Sequence, residues 1–172
     1  MSDTARILIT SAVAVLLLVA AVAGARRGWA TRVRSQVGVP APPQPPVGTA
    51  AADPVVPALY VSSTRAGDWL DRVVAHGLGM RARARVGVVT TGPHPGVRID
   101  RAGAPPLFIA ADALHGVRRD TGIAGKVAPR PELVVFTWDC GGTELDTGVR
   151  PGTDADRTLL AAAAADLIGV ER

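Results

Sequence analysis

The chain has 172 residues, 48% apolar and 20% charged, which leaves room for one ordinary domain plus extra segments and excludes wholesale disorder. Its pI near 10.5 invites a nucleic-acid reading, but residues 1–56 carry five arginines against Asp3 and Asp53, while residues 57–172 carry 14 basic against 13 acidic groups with no basic block interleaved with aromatics. Nucleic acid is therefore not an expected partner, and a single cysteine, Cys140, rules out an intramolecular disulfide and a cysteine-based metal cluster.

A short tail, residues 1–6, precedes an uncharged run from Ile7 to Ala23 broken only by Thr10 and Ser11. With Gly24 and Ala25 the run reaches 19 residues. At about 1.5 Å per residue this just crosses a hydrocarbon core of about 30 Å, so a transmembrane helix over residues 7–25 is expected. A cleaved signal peptide competes, because Ala21-Val22-Ala23 and Ala23-Gly24-Ala25 fit the small-residue cleavage pattern; the length of the run favours the anchor. Residues 26–34 read as a basic juxtamembrane segment. There Arg26, Arg27, Arg32 and Arg34 assign the C-terminal side to the cytoplasm, and Trp29 takes the headgroup level beside anionic lipid. Residues 35–57 hold seven prolines between Pro40 and Pro57, which forbids a helix or central strand and predicts a semi-rigid polyproline II linker. Pro42-Pro43-Gln44-Pro45-Pro46 also has the form of a ligand for an aromatic groove.

The domain proper is expected over residues 58–169. Ala58 to Ser63 reads as a first strand, and Trp69, Leu70, Val73 and Val74 stand at helical spacing in a short cap. From Met80 to Thr90 the pattern alternates: Met80, Ala82, Ala84, Val86 and Val88 on a buried face, Arg81, Arg83 and Arg85 on a wet one. Val97 to Arg101, Leu107 to Ala110, Leu114 to Thr121, Leu133 to Trp138 and Thr143 to Val149 supply five more strands, the last two joined at Gly141-Gly142. A final helix starts at the N-cap Thr153, carries Asp154 and Asp156 in its first turn and stops at Gly169. The fold class expected is an N-terminal transmembrane α-helix plus an α+β, mainly β domain: seven strands in a barrel or sandwich closed by the C-terminal helix.

Chemistry is thin. Gly122-Ile-Ala-Gly125-Lys126 lacks the first glycine and the Ser or Thr of a phosphate-binding loop, so it reads as a turn. His76, His94 and His115 are too far apart to give a metal pair on one helix, and Asp146-Thr147-Gly148 is a single copy of a triplet that needs two carboxylates. Asp68, Trp69, Asp71 and Arg72 form the densest cluster, a candidate interaction surface together with Arg81, Arg83 and Arg85.

Gly67 to Val73, His76 to Gly79, Leu107 to Ile109, Thr121 to Val127 and Leu145 to Gly148 resemble the bacterial membrane-anchored PH-like domain proteins of high-GC Gram-positive genomes. The resemblance covers residues 58–169. It implies a pleckstrin-homology-like barrel with a C-terminal helix, and brings no catalytic residue and no cofactor. The resulting expectation is a non-enzymatic module at the inner face of the cytoplasmic membrane that recognises a protein or a lipid. The alternative is an accessory subunit of a transport or export complex, contacted through Ala12, Ala20 and Gly24 on the helix.

Overall fold

The computed structural model describes residues 11–24 and 38–169. They belong to two units, residues 1–37 and 38–172.

In the first unit the described residues 11–24 form helix α1, with exposed side chains. Among the described residues no helix is long and apolar enough to cross a membrane. This overturns the expected span over 7–25 and, with it, the single-pass topology, the membrane as partner, the placement at the cytoplasmic membrane and the transport-subunit alternative. Arg26, Arg27, Trp29, Arg32 and Arg34 lie outside the described residues.

The second unit is built from β1 (Val55–Arg65), the two-residue β2 (Arg72–Val73), β3 (Ala82–Val89), β4 (Gly96–Arg101), β5 (Leu107–Ala110), β6 (Leu114–Asp120), the short pair β7 (Gly122–Ile123) and β8 (Lys126–Val127), β9 (Leu133–Asp139), β10 (Glu144–Pro151) and helix α2 (Asp154–Gly169). The main sheet runs β5-β4-β3-β1-β10-β9-β6, with β2 alongside β1, and its pairings are antiparallel. The strand path does not return on itself: β5 and β6 are its two ends and are not paired. The expected closed barrel is therefore replaced by an open sheet. The reason lies at the edges. β5 is only four residues long, its Phe108 amide donates to the Pro43 carbonyl (2.9 Å) instead of to a strand, and α2 packs chiefly on β6.

Alternation, reset by irregularities in β1 between Tyr60 and Ser62 and in β6 between Leu114 and Gly116, sorts the sheet into two faces. On the inner face Tyr60, Val86, Ile99, Phe136, Trp138 and Leu145 form the core with Leu160, Ala164 and Leu167 of α2. Leu159 and Ile168 of α2 are exposed at 51% and 42%. The core holds a ladder of hydroxyls whose hydrogen bonds are internal. The Trp138 indole donates to Thr147 Oγ1 (2.9 Å), which pairs with Ser63 Oγ (2.7 Å), and the Tyr60 hydroxyl bonds Ser63 Oγ (2.9 Å) and the Leu78 carbonyl (2.8 Å). Burial, only partly offset by Ser63 and Arg101, pushes the Tyr60 hydroxyl up to about 12. Thr153 caps α2 as expected, accepting from the Asp156 amide (3.0 Å) and donating to its carboxylate (2.7 Å).

The proline-rich segment is laid on the domain from Gly38 onward. Val39 is 2% exposed and joins the main core. Its carbonyl accepts from His76 Nε2 (3.0 Å), and the Pro40 carbonyl accepts from the Cys140 thiol (3.7 Å). Gly141, with φ of 59°, gives this segment its room, because a Cβ there would stand 3.1 Å from Pro40 Cγ. Proline has no N–H to continue a ladder but keeps its carbonyl, so the strap takes up the Phe108 amide of β5 without extending the sheet.

Candidate functional site

On the outer face a second, smaller core forms from Val61, Leu133 and Val135 of the sheet and Ile123 and Ala124 of a hairpin laid across it. That hairpin is β7–β8. Its two turn residues, Ala124 and Gly125, have φ of 54° and 72°, the left-handed pair that a tight two-residue connection demands. Ile123 seats on Gly148, where a Cβ would meet Ile123 carbons at 2.9 Å. The Asp146-Thr147-Gly148 triplet is thus fully used by the fold: a carboxylate for an arginine, a hydroxyl for the core ladder, and a space for Ile123.

The loop after β1 leans on this hairpin. Asp68 Oδ1 accepts from the amides of Leu70 (3.0 Å) and Asp71 (3.2 Å), which shapes the turn, and Asp71 pairs with Arg65 (3.2 Å). The Gly125 amide donates to the Trp69 carbonyl (3.3 Å), and Arg72 donates to the Ala124 carbonyl (3.3 Å). Asp68 and Asp71 therefore serve separate local bonds and do not face each other as an acid and base. The helical spacing of Trp69, Leu70, Val73 and Val74 also misleads: the segment is a turn, β2 and a single 3-10 turn over Ala75–Gly77. Val73 is buried, while Trp69 and Leu70 stand 45% and 63% exposed beside Val127 at 69%. These three side chains make an apolar rim on a stapled base.

Behind the rim lies a cavity of about 370 Å³, lined by Trp69 and Val127 and floored by Arg118 and Asp146. Arg118 grips the nearly buried Asp146 through both ends of its fork (2.9 and 3.1 Å) and reaches Asp120 with Nε (3.1 Å); Thr137 donates to Asp146 as well (2.6 Å). Burial alone would raise the Asp146 carboxyl, but Arg118, Thr137 and the Gly67 amide together outweigh it and hold the group below the usual carboxylate range. Arg118 is raised in turn, first by its hydrogen bond to Asp146. Sequence reasoning missed this network, because Arg118, Thr137 and Asp146 meet only through the register of three neighbouring strands.

Cations continue from the rim along β3. Arg81, Arg83 and Arg85 are exposed on the wet face, as the alternation predicts. The Lys126 ammonium titrates below its ordinary value, through partial desolvation first and then the nearby charges of Arg72 and Arg81. The acids around them are already engaged: Asp71 by Arg65, Asp100 by Arg98, Asp120 and Asp146 by Arg118, Glu132 by Arg150, and Asp154 by Arg119 and Arg157. Among the described residues Arg81, Arg83, Arg85 and Lys126 form no ion pair.

The remaining reactive side chains are dispersed. Cys140 is buried and its thiol is pushed up by that burial and by Asp139. His76 holds the strap, and His115, paired with Glu144 (3.0 Å), joins His94 and Asp112 in lining a second cavity of about 830 Å³ between the strap and the end of α2. No group of three potential metal ligands occurs among the described residues.

A model described as bacterial PH domain-like matches residues 37–165. The chain belongs to that family. PH-like domains are non-catalytic interaction modules, and this PH-like domain is one. The match covers the strap as well as the sheet and most of α2, and it carries neither membrane anchoring nor a high-GC Gram-positive origin. Comparison with curated proteins and with solved structures returned no match.

Proposed function

We propose that this PH-like domain recognises a segment of another protein at the rim made by Trp69, Leu70 and Val127. The observation that carries the reading is the exposure of three large apolar side chains, 45%, 63% and 69%: Trp69 and Val127 line the mouth of a cavity, and Leu70 follows Trp69 and lies over Gly125 of the hairpin. Exposed Trp is a costly surface residue unless it is covered in use, and aromatic anchors beside a pocket are the usual centre of an interface. The base supports that role: Ile123 and Asp146 are buried beneath the rim and the loops are tied by backbone bonds, so little order has to be gained on binding. Strand addition at β5, the other economical mode for an open sheet, is disfavoured because the strap already takes the Phe108 amide.

The test places a photo-activatable benzophenone amino acid at Leu70 of the full chain in the cells that produce it. A discrete protein adduct is expected, absent when Trp69→Ala is combined with it and absent from the same label at Leu159 on α2. Adducts of equal yield from both positions, or none from Leu70, would remove the rim as the binding surface.

A further inference from the structure

Resting on the rim as a protein-binding surface, we infer that the segment recognised is acidic and extended, its carboxylates lying along the Lys126–Arg81–Arg83–Arg85 row and an apolar side chain entering the cavity beside Trp69. Two features of the outer face lead there. The first is an imbalance of charge within a domain that is nearly neutral overall. Around the rim Asp71, Asp120 and Asp146 are each held by an arginine, Asp68 is turned to the amides of Leu70 and Asp71, and Asp100, opposite Arg85 in the sheet, is held by Arg98, whereas the four cations of the row form no ion pair among the described residues. The surplus positive charge of this face is thus gathered where the apolar rim is. Like charges held together without carboxylates destabilise the free domain and favour a partner that brings them, which is electrostatic complementarity in its simplest form.

The second feature is spacing. Arg83 and Arg85 alternate on β3 and Arg81 stands one residue ahead of it, so the stems on the strand recur about every 7 Å. An extended peptide repeats its side chains at the same interval, so acidic residues at every second position fall into register with the row. β3 is an interior strand, paired with β1 and β4, so its backbone is already taken and recognition across its face has to come from side chains. At the rim end the surface turns concave, with a cavity of about 370 Å³ beside Trp69 and Val127. That volume admits a single large side chain, whose apolar surface would lie against Trp69 and Val127 above the Arg118–Asp146 floor. A flat anionic surface would meet the cations but could not fill the hollow, which is why the geometry points to a peptide.

The experiment is fluorescence anisotropy of the full chain with three short labelled peptides sharing a Leu-Phe head: one with alternating Glu, one with Gln in those places, one with Lys. The Glu peptide should bind, weaken steeply as salt rises, lose about tenfold or more in affinity with R81E/R83E, and lose binding with Trp69→Ala. The melting temperatures of these variants, all at exposed sites, should stay within a few degrees of the parent chain. Equal binding of the Gln peptide without salt dependence would overturn the acidic preference and leave the rim reading intact. Preferential binding of the Lys peptide would also overturn it. So would capture by phosphatidylserine vesicles in place of the Glu peptide. No peptide bound, with the Leu70 adduct still formed, defeats this inference alone; loss of both defeats the rim as well.

Discussion

The two faces of the sheet are made by the same strands and differ in every other respect. On the inner face Trp138, Tyr60 and Phe136 are fully buried and the polar atoms that accompany them bond to one another. On the outer face a few aliphatic residues are covered by a small hairpin, and the rest is arginine, carboxylate and exposed Trp69. The difference teaches that alternation along a strand separates folding from recognition residue by residue: neighbours in sequence such as Ala84 and Arg85 answer to different demands. Changes on the inner face should be felt in stability, and changes at the rim in binding.

The strongest blow to that division is Trp138→Ala, expected to cost about 3 to 5 kcal/mol from lost burial and a cavity, and measured by urea denaturation. Trp138→Phe keeps most of the volume but leaves Thr147 Oγ1 without its indole donor, for about 1 to 3 kcal/mol. Asp146→Asn tests whether the outer face also contributes to stability through its buried carboxylate, with a loss of about 1 to 2 kcal/mol expected at neutral pH after allowing for solvent around the half-exposed Arg118. Because the folded Asp146 titrates below its unfolded value, its contribution is complete above about pH 4 and fades as pH falls through the lower folded value. Acid-unfolding curves should therefore be shallower for Asp146→Asn than for the parent chain over that range. Gly148→Ala forces a Cβ against Ile123, at a cost of about 1 kcal/mol or more. The pair Gly148→Ala with Ile123→Ala should cost less than the two singles summed, a coupling read from a double-mutant cycle. Smallest of all is Trp69→Ala, within about 0.5 kcal/mol in stability, although it abolishes partner capture; a large destabilisation there would collapse the distinction between the faces.

Much of the sheet is legible in the sequence because its signals are local. Ala82 to Val89 of the alternation becomes β3, although Met80, expected on its buried face, is 66% exposed ahead of the strand; Leu107 to Ala110 is β5 in full, and Thr153 with Asp154 and Asp156 marks the start of α2. The failures share one cause, that they depend on what lies far along the chain. Hydrophobicity alone reads a membrane span over 7–25, whereas among the described residues no helix is long and apolar enough to cross a membrane. Nothing around Val39 distinguishes it from the other small apolar residues of a proline-rich spacer, yet it fills a place in the core, as Val56 does where β1 begins. Trp69 and Leu70 have helical spacing with Val73, but Asp68 and Gly67 turn the chain and leave them outside. Closure of the barrel was inferred from strand number, whereas it depends on whether the two edge strands meet. Of the candidate site, the arginine row was readable and the Arg118–Asp146 floor was not, since 28 residues separate that pair.

The strap also decides how the domain would yield to a pull. Any tension on the chain ahead of Gly38 reaches the fold first at Val39, a single buried side chain held beside a few carbonyl bonds such as those to His76, Cys140 and Phe108. These bonds would open one at a time, as a zip does, before load passed to β1, which is flanked by paired strands on both sides and resists in shear. Residues 39–46 are thus the mechanical fuse of the domain: their release uncovers the β5 edge and a hole in the core while the sheet itself still stands.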